Sequence, residues 1–347
     1  MNWRRMIIPV SLGMSIYHLV FAFIGYPIGE IHRPLHLVFV LVILFATKPK
    51  ANLSPNKIIL SEIMDIVLII ISILGTGYLI KNAQAIQSRM IYVTPLTLAE
   101  KVFGCLSLIT VLEAARRTVG KSLAILGTVF ILYGLLGHYL PAPFGHRLYS
   151  FERILESLYL TKEGLWNIPI GVSANFIFIF VMFGSLLLAS GAGAFFTDFA
   201  EALTGRYVGG TAKTAIVSSA FMGMLSGSSA SNVVTTGSYT IPAMRRSGFD
   251  APFAAGVEAV ASSGGQLTPP IMGAAAFLMV EFVGVPYIEV IKAAIIPAIL
   301  YFLAVFVMVD QSARYFDIAT QGTSFNRVLP LLLKKGYLLI PVVIMLY

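Results

Sequence analysis

The sequence predicts an all-α integral membrane protein: a multi-span helical bundle containing one re-entrant hairpin and one broken helix. Three observations carry that prediction. Of the 347 residues, 57% are hydrophobic and 12% charged, against about half and about a quarter in soluble domains. The apolar residues gather into runs of about 17 to 20, the length that crosses a hydrocarbon core about 30 Å thick. Two stretches rich in serine, glycine and proline then interrupt apolar sequence where the chain should be in the membrane.

At the N-terminus, MNWRRMIIPVSLGMSIYHLVF has the basic and apolar regions of a signal peptide. No small-x-small cleavage motif precedes FIGYPIGE, so it reads as a first anchor helix. Hydropathy places spans near 7–24, 35–47, 59–80, 97–113, 121–137, 172–190 and 287–309. Arg4 and Arg5, then Lys48, Lys50 and Lys57, then Arg116, Arg117 and Lys121 mark alternate loops as cytoplasmic, with the N-terminus inside. The first loop sets Glu30 against Arg33 and is neutral. Lys81 and Arg89 fit less well, since they put two positives outside. Glu62 and Asp65, near a helix start, read as interfacial anchors.

Residues 151–163, FERILESLYLTKE, place Phe151, Ile154, Leu155, Leu158 and Tyr159 on one helical face and Glu152, Arg153 and Glu156 elsewhere. Too short and charged to span, this is either a helix lying in the outer interface or an ordinary loop helix.

The region 211–244 would be about 50 Å long as one helix, too long for one crossing. Split at SGSS, it becomes two short halves. Arg206 and Lys213 precede the first half and Arg245 and Arg246 follow the second, so both ends count as cytoplasmic and a re-entrant hairpin results. The stretch 252–284 repeats this grammar: APFAAGVEAVASS, a break at GGQLTPP, then IMGAAAFLMVEFV. Its paired glycines loosen the backbone, while Pro269 and Pro270 remove amide donors. Glu281 and Glu289 beyond it, with only Lys292 nearby, make this a crossing broken helix. Small residues recur every fourth position at Ser185, Ala189 and Gly193, at Ala215, Ser219, Gly223 and Gly227, and at Ala251, Ala255, Ala259 and Ser263, the pattern of close helix approach in lipid.

Non-helical backbone at membrane depth is tolerated only when buried in protein or lining a wet cavity. Free carbonyls at half-helix C-termini and hydroxyl oxygens suit sodium, and amides at half-helix N-termini suit a carboxylate. The candidate cation ligands are therefore Ser226, Gly227, Ser228 and Ser229 from the first break, with Gly264, Gly265 and Thr268 from the second. Asn232, Gln266 and Pro269 are candidate substrate contacts. The competing reading is that serine and glycine only permit helix contact, each hydroxyl bonding the carbonyl one turn back. Glu258, an intramembrane carboxylate, is a coupling or a structural residue, and Arg245 and Arg246 are possible partners.

Other chemistries find little support. The net charge of +8 is read as basic cytoplasmic loops rather than a nucleic-acid surface. Cys105 is the single cysteine and reads as packing. His32 and His36 are four apart, but Arg33 and Pro34 are expected to interrupt their helix; His18 stands alone in its span, and His138 and His146 fall in loops. No zinc set is completed, and no Walker, dinucleotide or Gly-x-Ser-x-Gly motif occurs. The chain is expected not to be an enzyme and to need no cofactor beyond a coupling ion.

The run from GGTAKTAIVSSAFMGMLSGSSASNVVTTGSYTIPAMRRSGFDAPFAAGVEAVASSGGQLTPPIMGAAAF to IPAILYF, with LTKEGLWNIPIGVSANFIFIFVMFGSLLLASGAGAFF upstream, resembles the fused permeases of tripartite ATP-independent periplasmic (TRAP) transporters, in particular those working with TAXI-type binding proteins. The resemblance covers residues 160 to about 310; residues 1–113 fit the small four-helix subunit by helix count and position alone. It implies a secondary transporter of a bacterial or archaeal inner membrane that takes up organic acids with sodium, supplied by a periplasmic binding protein. By that likeness SGSSASN is the hairpin tip and GGQLTPP the helix break of one sodium site. The domains would be a scaffold at 1–113, a connecting helix and outer loop at 114–150, and the first half of a transport domain at 151–347. Family members carry two inverted repeats and here one is found, so a truncated sequence or fragment, ending within GYLLIPVVIMLY, is expected. The rival readings are an inactive scaffold and a proton-translocating membrane subunit of an energy-converting enzyme complex.

Overall fold

The computed structural model describes residues 5, 7–47, 55–318, 320 and 325–346. Arg4, Lys48 and Lys50, and the side chain of Lys57, lie outside the described residues. Every regular element among those described is helical. Six helices are long and apolar enough to cross a membrane: 7–24, 29–47, 59–81, 121–139, 168–189 and 287–315. The chain divides into two compact units, Met1–Asn175 and Phe176–Tyr347.

In the first unit, α1 (Ile7–Ile24), α2 (Gly29–Thr47), α3 (Pro55–Lys81), α4 (Ala83–Gln87), α5 (Leu98–Thr118), α6 (Lys121–Leu136), α7 (Phe151–Tyr159) and α8 (Ile168–Val172) follow in order. α2 corrects an expectation, because it runs unbroken through Arg33 and Pro34 from Gly29. Pro34 lies in the second turn, where its missing donor removes one backbone bond near an end that is already under-bonded. α5 starts with a capping box: the Thr97 hydroxyl accepts from the Glu100 amide at 3.2 Å and Glu100 accepts from the Thr97 amide at 2.7 Å. At 21 residues it is long enough to span, yet it carries acids and bases at both ends.

Some of those charges are paired inside the protein, whereas Lys101 and Arg116 are paired at more exposed positions. Arg89 donates to Glu100 at 2.9 Å and to Glu156 at 3.0 Å, and all three side chains are nearly buried. Arg89, one of the two positives that fitted the loop-charge count poorly, is thus neutralised by two carboxylates. Glu156 belongs to the buried side of α7, not to a solvated face, while Leu155 and Tyr159 on the same helix are also enclosed. Tyr159 donates to the Gly75 carbonyl at 2.7 Å, so α7 is docked on α3 and α5. Asp65 also departs from its expected place at the interface: it is fully buried and accepts from Arg117 at 2.6 Å.

The second unit contains α9 (Phe178–Ala189), α10 (Ala192–Thr204), α11 (Gly210–Ser226), α12 (Ser229–Arg246), α13 (Ala251–Gly264), α14 (Ala274–Met279), α15 (Tyr287–Tyr315), α16 (Val328–Lys335) and α17 (Ile340–Leu346). α11 and α12 form an antiparallel helical hairpin joined at Gly227 and Ser228. Gly227 takes the left-handed conformation, φ +58°, that ends α11, and the Ser228 hydroxyl caps α12 by accepting from the Ser231 amide at 3.3 Å. Asp250 caps α13 in the same way, accepting from the Phe253 amide at 3.0 Å. A 3-10 turn at Gly265–Leu267 and a turn through the two prolines, closed by the Met272 amide donating to the Thr268 carbonyl at 3.3 Å, separate α13 from α14. The unit's largest core cluster includes Ile216, Met244, Val257 and Val309, drawn from α11, α12, α13 and α15.

Only one of the three small-residue stripes is buried in a helix contact. Ala215, Ser219 and Gly223 lie inside, whereas Ser185, Ala189, Ala251, Ala255, Ala259 and Ser263 are exposed. On α13 the enclosed face is Ala254, Val257, Glu258, Ala261 and Ser262, and next to the α9 stripe the tight contact is at Gly184, where a methyl would meet the Leu225 carbonyl. Lys213 likewise is no solvated loop charge: it is 2% exposed and ion-paired with Asp310, which also accepts from Arg314 at 2.9 Å.

Candidate functional site

In the second unit the two backbone interruptions lie side by side. A methyl added at Gly223 would collide with the Gly265 backbone, and one added at Gly227 would collide with the Met272 carbonyl. Asn232, buried one turn into α12, donates to the Ser219 carbonyl at 2.8 Å and leaves its amide nitrogen 3.1 Å from the space a Gly265 methyl would fill. Glycine at 223, 227 and 265 is therefore required by contact, and at 227 by conformation as well.

The nominated side chains are not all equivalent. Ser226 and Ser228 are half-buried at the hairpin tip, with the Ser226 hydroxyl 3.4 Å from the Ser228 amide; Ser229 is half-buried beside them. Thr268 is buried and donates to the Gly264 carbonyl at 2.9 Å. Pro269 is buried, and Gln266 is exposed while its carbonyl accepts from the Gly273 amide at 2.8 Å. Gly264 faces Tyr301 and Phe302. A cavity of about 560 Å³ in this unit takes in Thr268 and Pro269 but is otherwise apolar, walled by Ile216, Phe221, Met224 and Phe302.

Glu258 was a candidate from the sequence, but the hydroxyl cage that surrounds it was not. This carboxyl is fully buried. One oxygen accepts from Ser262 at 2.9 Å, from Ser219 at 3.3 Å and from Thr236; the other accepts from Thr240. The donors come from α11, α12 and α13, so one side chain ties three helices together. Arg245 and Arg246, the partners expected from the sequence, are exposed instead. Next to this cage Tyr239 lies 2.6 Å from the Thr197 hydroxyl and 2.7 Å from that of Ser218. The sequence signal was present but weak: Thr236 and Thr240 on α12, like Glu258 and Ser262 on α13, are four apart, a spacing at which hydroxyls could equally face lipid and bond their own carbonyls.

A stability difference tests the cage. Glu258→Leu is expected to cost about 2 kcal/mol, because Ser219 and Ser262 lose their acceptor. Thr236 and Thr240 can fall back on carbonyls at 2.7 and 2.9 Å. Glu258→Gln keeps an acceptor and should stay within about 1 kcal/mol of the parent. Thermal unfolding of the purified chain in detergent reads the difference; equal losses would reject the hydroxyl cage as the cause.

The first unit holds a second feature that the sequence concealed. With α2 continuous, His32 and His36 share a face that meets His18: His18 Nε2 lies 2.9 Å from His36 Nδ1, His36 Nε2 lies 3.0 Å from the Ser173 hydroxyl, and the Tyr17 hydroxyl lies 2.9 Å from His32 Nδ1. His18 Nδ1 donates to the Met14 carbonyl at 2.8 Å. In neutral rings that bond leaves His18 Nε2 as an acceptor, so His36 Nδ1 carries the hydrogen and His36 Nε2 accepts from Ser173. Ser173 opens a π turn, Ser173–Ile177. No three His, Cys, Asp or Glu side chains among the described residues are arranged to hold a metal ion.

Comparison with known proteins is consistent with this membrane architecture. Residues 106–347 match the family model described as the tripartite ATP-independent periplasmic transporter, DctM component. The chain is similar to the C4-dicarboxylate TRAP transporter large permease protein DctM of Rhodobacter capsulatus, 35% identical over 91 residues, which is 26% of this chain and 21% of that protein. It is similar also to the protein of the same name from Pseudomonas aeruginosa, 32% identical over 138 residues, covering 39% of this chain and 31% of the relative. The chain thus spans about a fifth to a third of the length of the curated relatives it matches. With most of its length matched, this all-helical membrane chain belongs to the DctM component family of TRAP transporters, which are transporter permeases and not enzymes.

Proposed function

We propose that the chain is part of the membrane permease of a sodium-coupled, binding-protein-dependent secondary transporter that imports organic acids. The observation that carries this reading is the side-by-side packing of the α11–α12 turn and the α13–α14 break, each with backbone groups released from helical bonding. Ser226, Gly227, Ser228, Ser229, Gly264, Gly265 and Thr268 are the proposed sodium ligands, and Asn232, Gln266 and Pro269 the proposed substrate contacts. Glu258 joins the hairpin to α13 in this scheme, and its hydroxyl cage supports a coupling role through helix position. C4-dicarboxylates, named for the two relatives, are the first substrates to try. The proposed partner is a periplasmic binding protein of the TAXI type, in a bacterial or archaeal inner membrane with the N-terminus in the cytoplasm. Residues 1–113 serve as scaffold, 114–150 as connector and 151–347 as the first half of the transport domain.

Uptake by the permease carrying this segment, reconstituted with its binding protein, is expected to require a sodium gradient and to proceed without ATP. Ser228→Ala and Thr268→Ala should each raise the sodium concentration for half-maximal uptake about tenfold, the effect of losing about 1.4 kcal/mol of ion binding. The packing alternative has its own support, since Ser228 caps α12 and Thr268 bonds a carbonyl one turn back. It predicts reduced protein yield with an unchanged sodium response, and that result would remove these two residues from the site.

A further inference from the structure

We propose that the first unit binds the phosphate of an anionic phospholipid at Arg33. A cavity of about 370 Å³ opens at the N-terminal end of α2, within the size range of small-ligand sites. Its apolar wall is made by Leu79, Ile86, Tyr159 and Trp166, and its charged groups are the cations Arg33, Arg89 and Lys162 and the carboxylates Glu30 and Glu163. Two of these cations are neutralised: Arg89 by Glu100 and Glu156, and Lys162 by Glu30 at 2.7 Å. Arg33 makes no ion-pair contact within 4 Å among the described residues, although Glu30, held by Lys162, is near enough for the two charges to interact. The acceptor recorded for it is the Trp166 carbonyl, 2.6 Å from Nη1, which leaves Nε and Nη2 able to donate.

The surrounding chain keeps that guanidinium in place and uncovered. A methyl at Gly171 would lie 2.9 Å from Arg33 Nε, and one at Gly29 would lie 3.5 Å from it, so both glycines leave room for the planar group. Half-buried and fixed by Trp166, it presents two remaining donors in the fork geometry that matches an oxyanion. The site sits at an end of apolar, membrane-length helices, where lipid headgroups lie, with an apolar wall alongside for the start of an acyl chain. A soluble phosphate shares the headgroup chemistry but makes no use of that wall.

The purified full chain in neutral detergent, offered phosphatidylglycerol or phosphatidylcholine and read by native mass spectrometry, tests this. Phosphatidylglycerol should be retained at least about tenfold better, and Arg33→Gln should abolish the preference, as expected for loss of charge-assisted hydrogen bonds. Ile86→Trp keeps every charge but fills the wall; it should weaken lipid retention as well, and it serves if Arg33→Gln does not fold. Displacement by equimolar inorganic phosphate would support the oxyanion site and make a soluble anion its occupant. Equal retention of both lipids by the parent chain, or retention unchanged in Arg33→Gln, would overturn the proposal. Lipid retention is read without transport, so a failure here is separate from a failure of sodium coupling.

Discussion

Gly223→Ala is expected to destabilise the chain by about 3 kcal/mol, at the upper end of overpacking penalties, and to abolish uptake by the assembled permease. The added methyl meets the Gly265 backbone, not the end of a flexible side chain, so no rotamer change relieves it. Relief requires α11 and the α13–α14 break to separate, which pulls apart the two interruptions proposed to bind sodium. Gly256→Ala is the matched control: nothing lies within 4 Å of the added methyl, and Gly256 sits inside α13. It should be neutral or stabilising by up to about 1 kcal/mol through helix propensity. Thermal unfolding in detergent compares the two. A Gly223→Ala protein as stable as the control would show that the close approach is not needed.

Arg89→Ala should have a still larger effect on stability, about 3 to 5 kcal/mol. The guanidinium serves two nearly buried carboxylates and also donates to the carbonyls of Thr94 and Pro95 at 2.6 and 3.0 Å. Its removal leaves Glu100 and Glu156 enclosed without their cation, while the loop loses its attachment to α5 and α7. Arg89→Lys keeps the charge but cannot reach two acids and two carbonyls with one ammonium, so an intermediate loss is expected. Because the cluster is buried, raising the salt concentration should change little. Chemical unfolding of the three proteins at low and high salt would settle the point, and a loss below about 1 kcal/mol in Arg89→Ala would contradict the buried-network account.

The membrane class, most of the spans and the two interruptions were legible in the residues. Hydropathy over about 18 residues is a local and additive property, so α1, α3, α6 and α15 could be located within a few positions. Where reading failed, the cause was a partner distant in sequence. Pro34 does not stop α2, because a proline this close to a helix start costs little and the helix is packed along its length. Arg89 counted as an outward positive until Glu100 and Glu156 neutralised it. The stripe Ala251, Ala255, Ala259 and Ser263 has the right spacing for close contact, but α13 turns its neighbouring face inward, and a repeat of four specifies a face without specifying what meets it.

The same distinction separates the two halves of the candidate site. Helix-breaking composition alone marks SGSS and GGQLTPP, since glycine freedom and missing proline donors act within a few bonds. That Gly223 touches Gly265, that four hydroxyls converge on Glu258 in place of Arg245 or Arg246, and that three histidines from α1 and α2 come together with His36 against Ser173 depends on the rotation of each helix about its axis. Rotation is chosen by packing between segments tens of residues apart. A one-residue change in which face turns inward would replace every one of these contacts while leaving the hydropathy profile untouched.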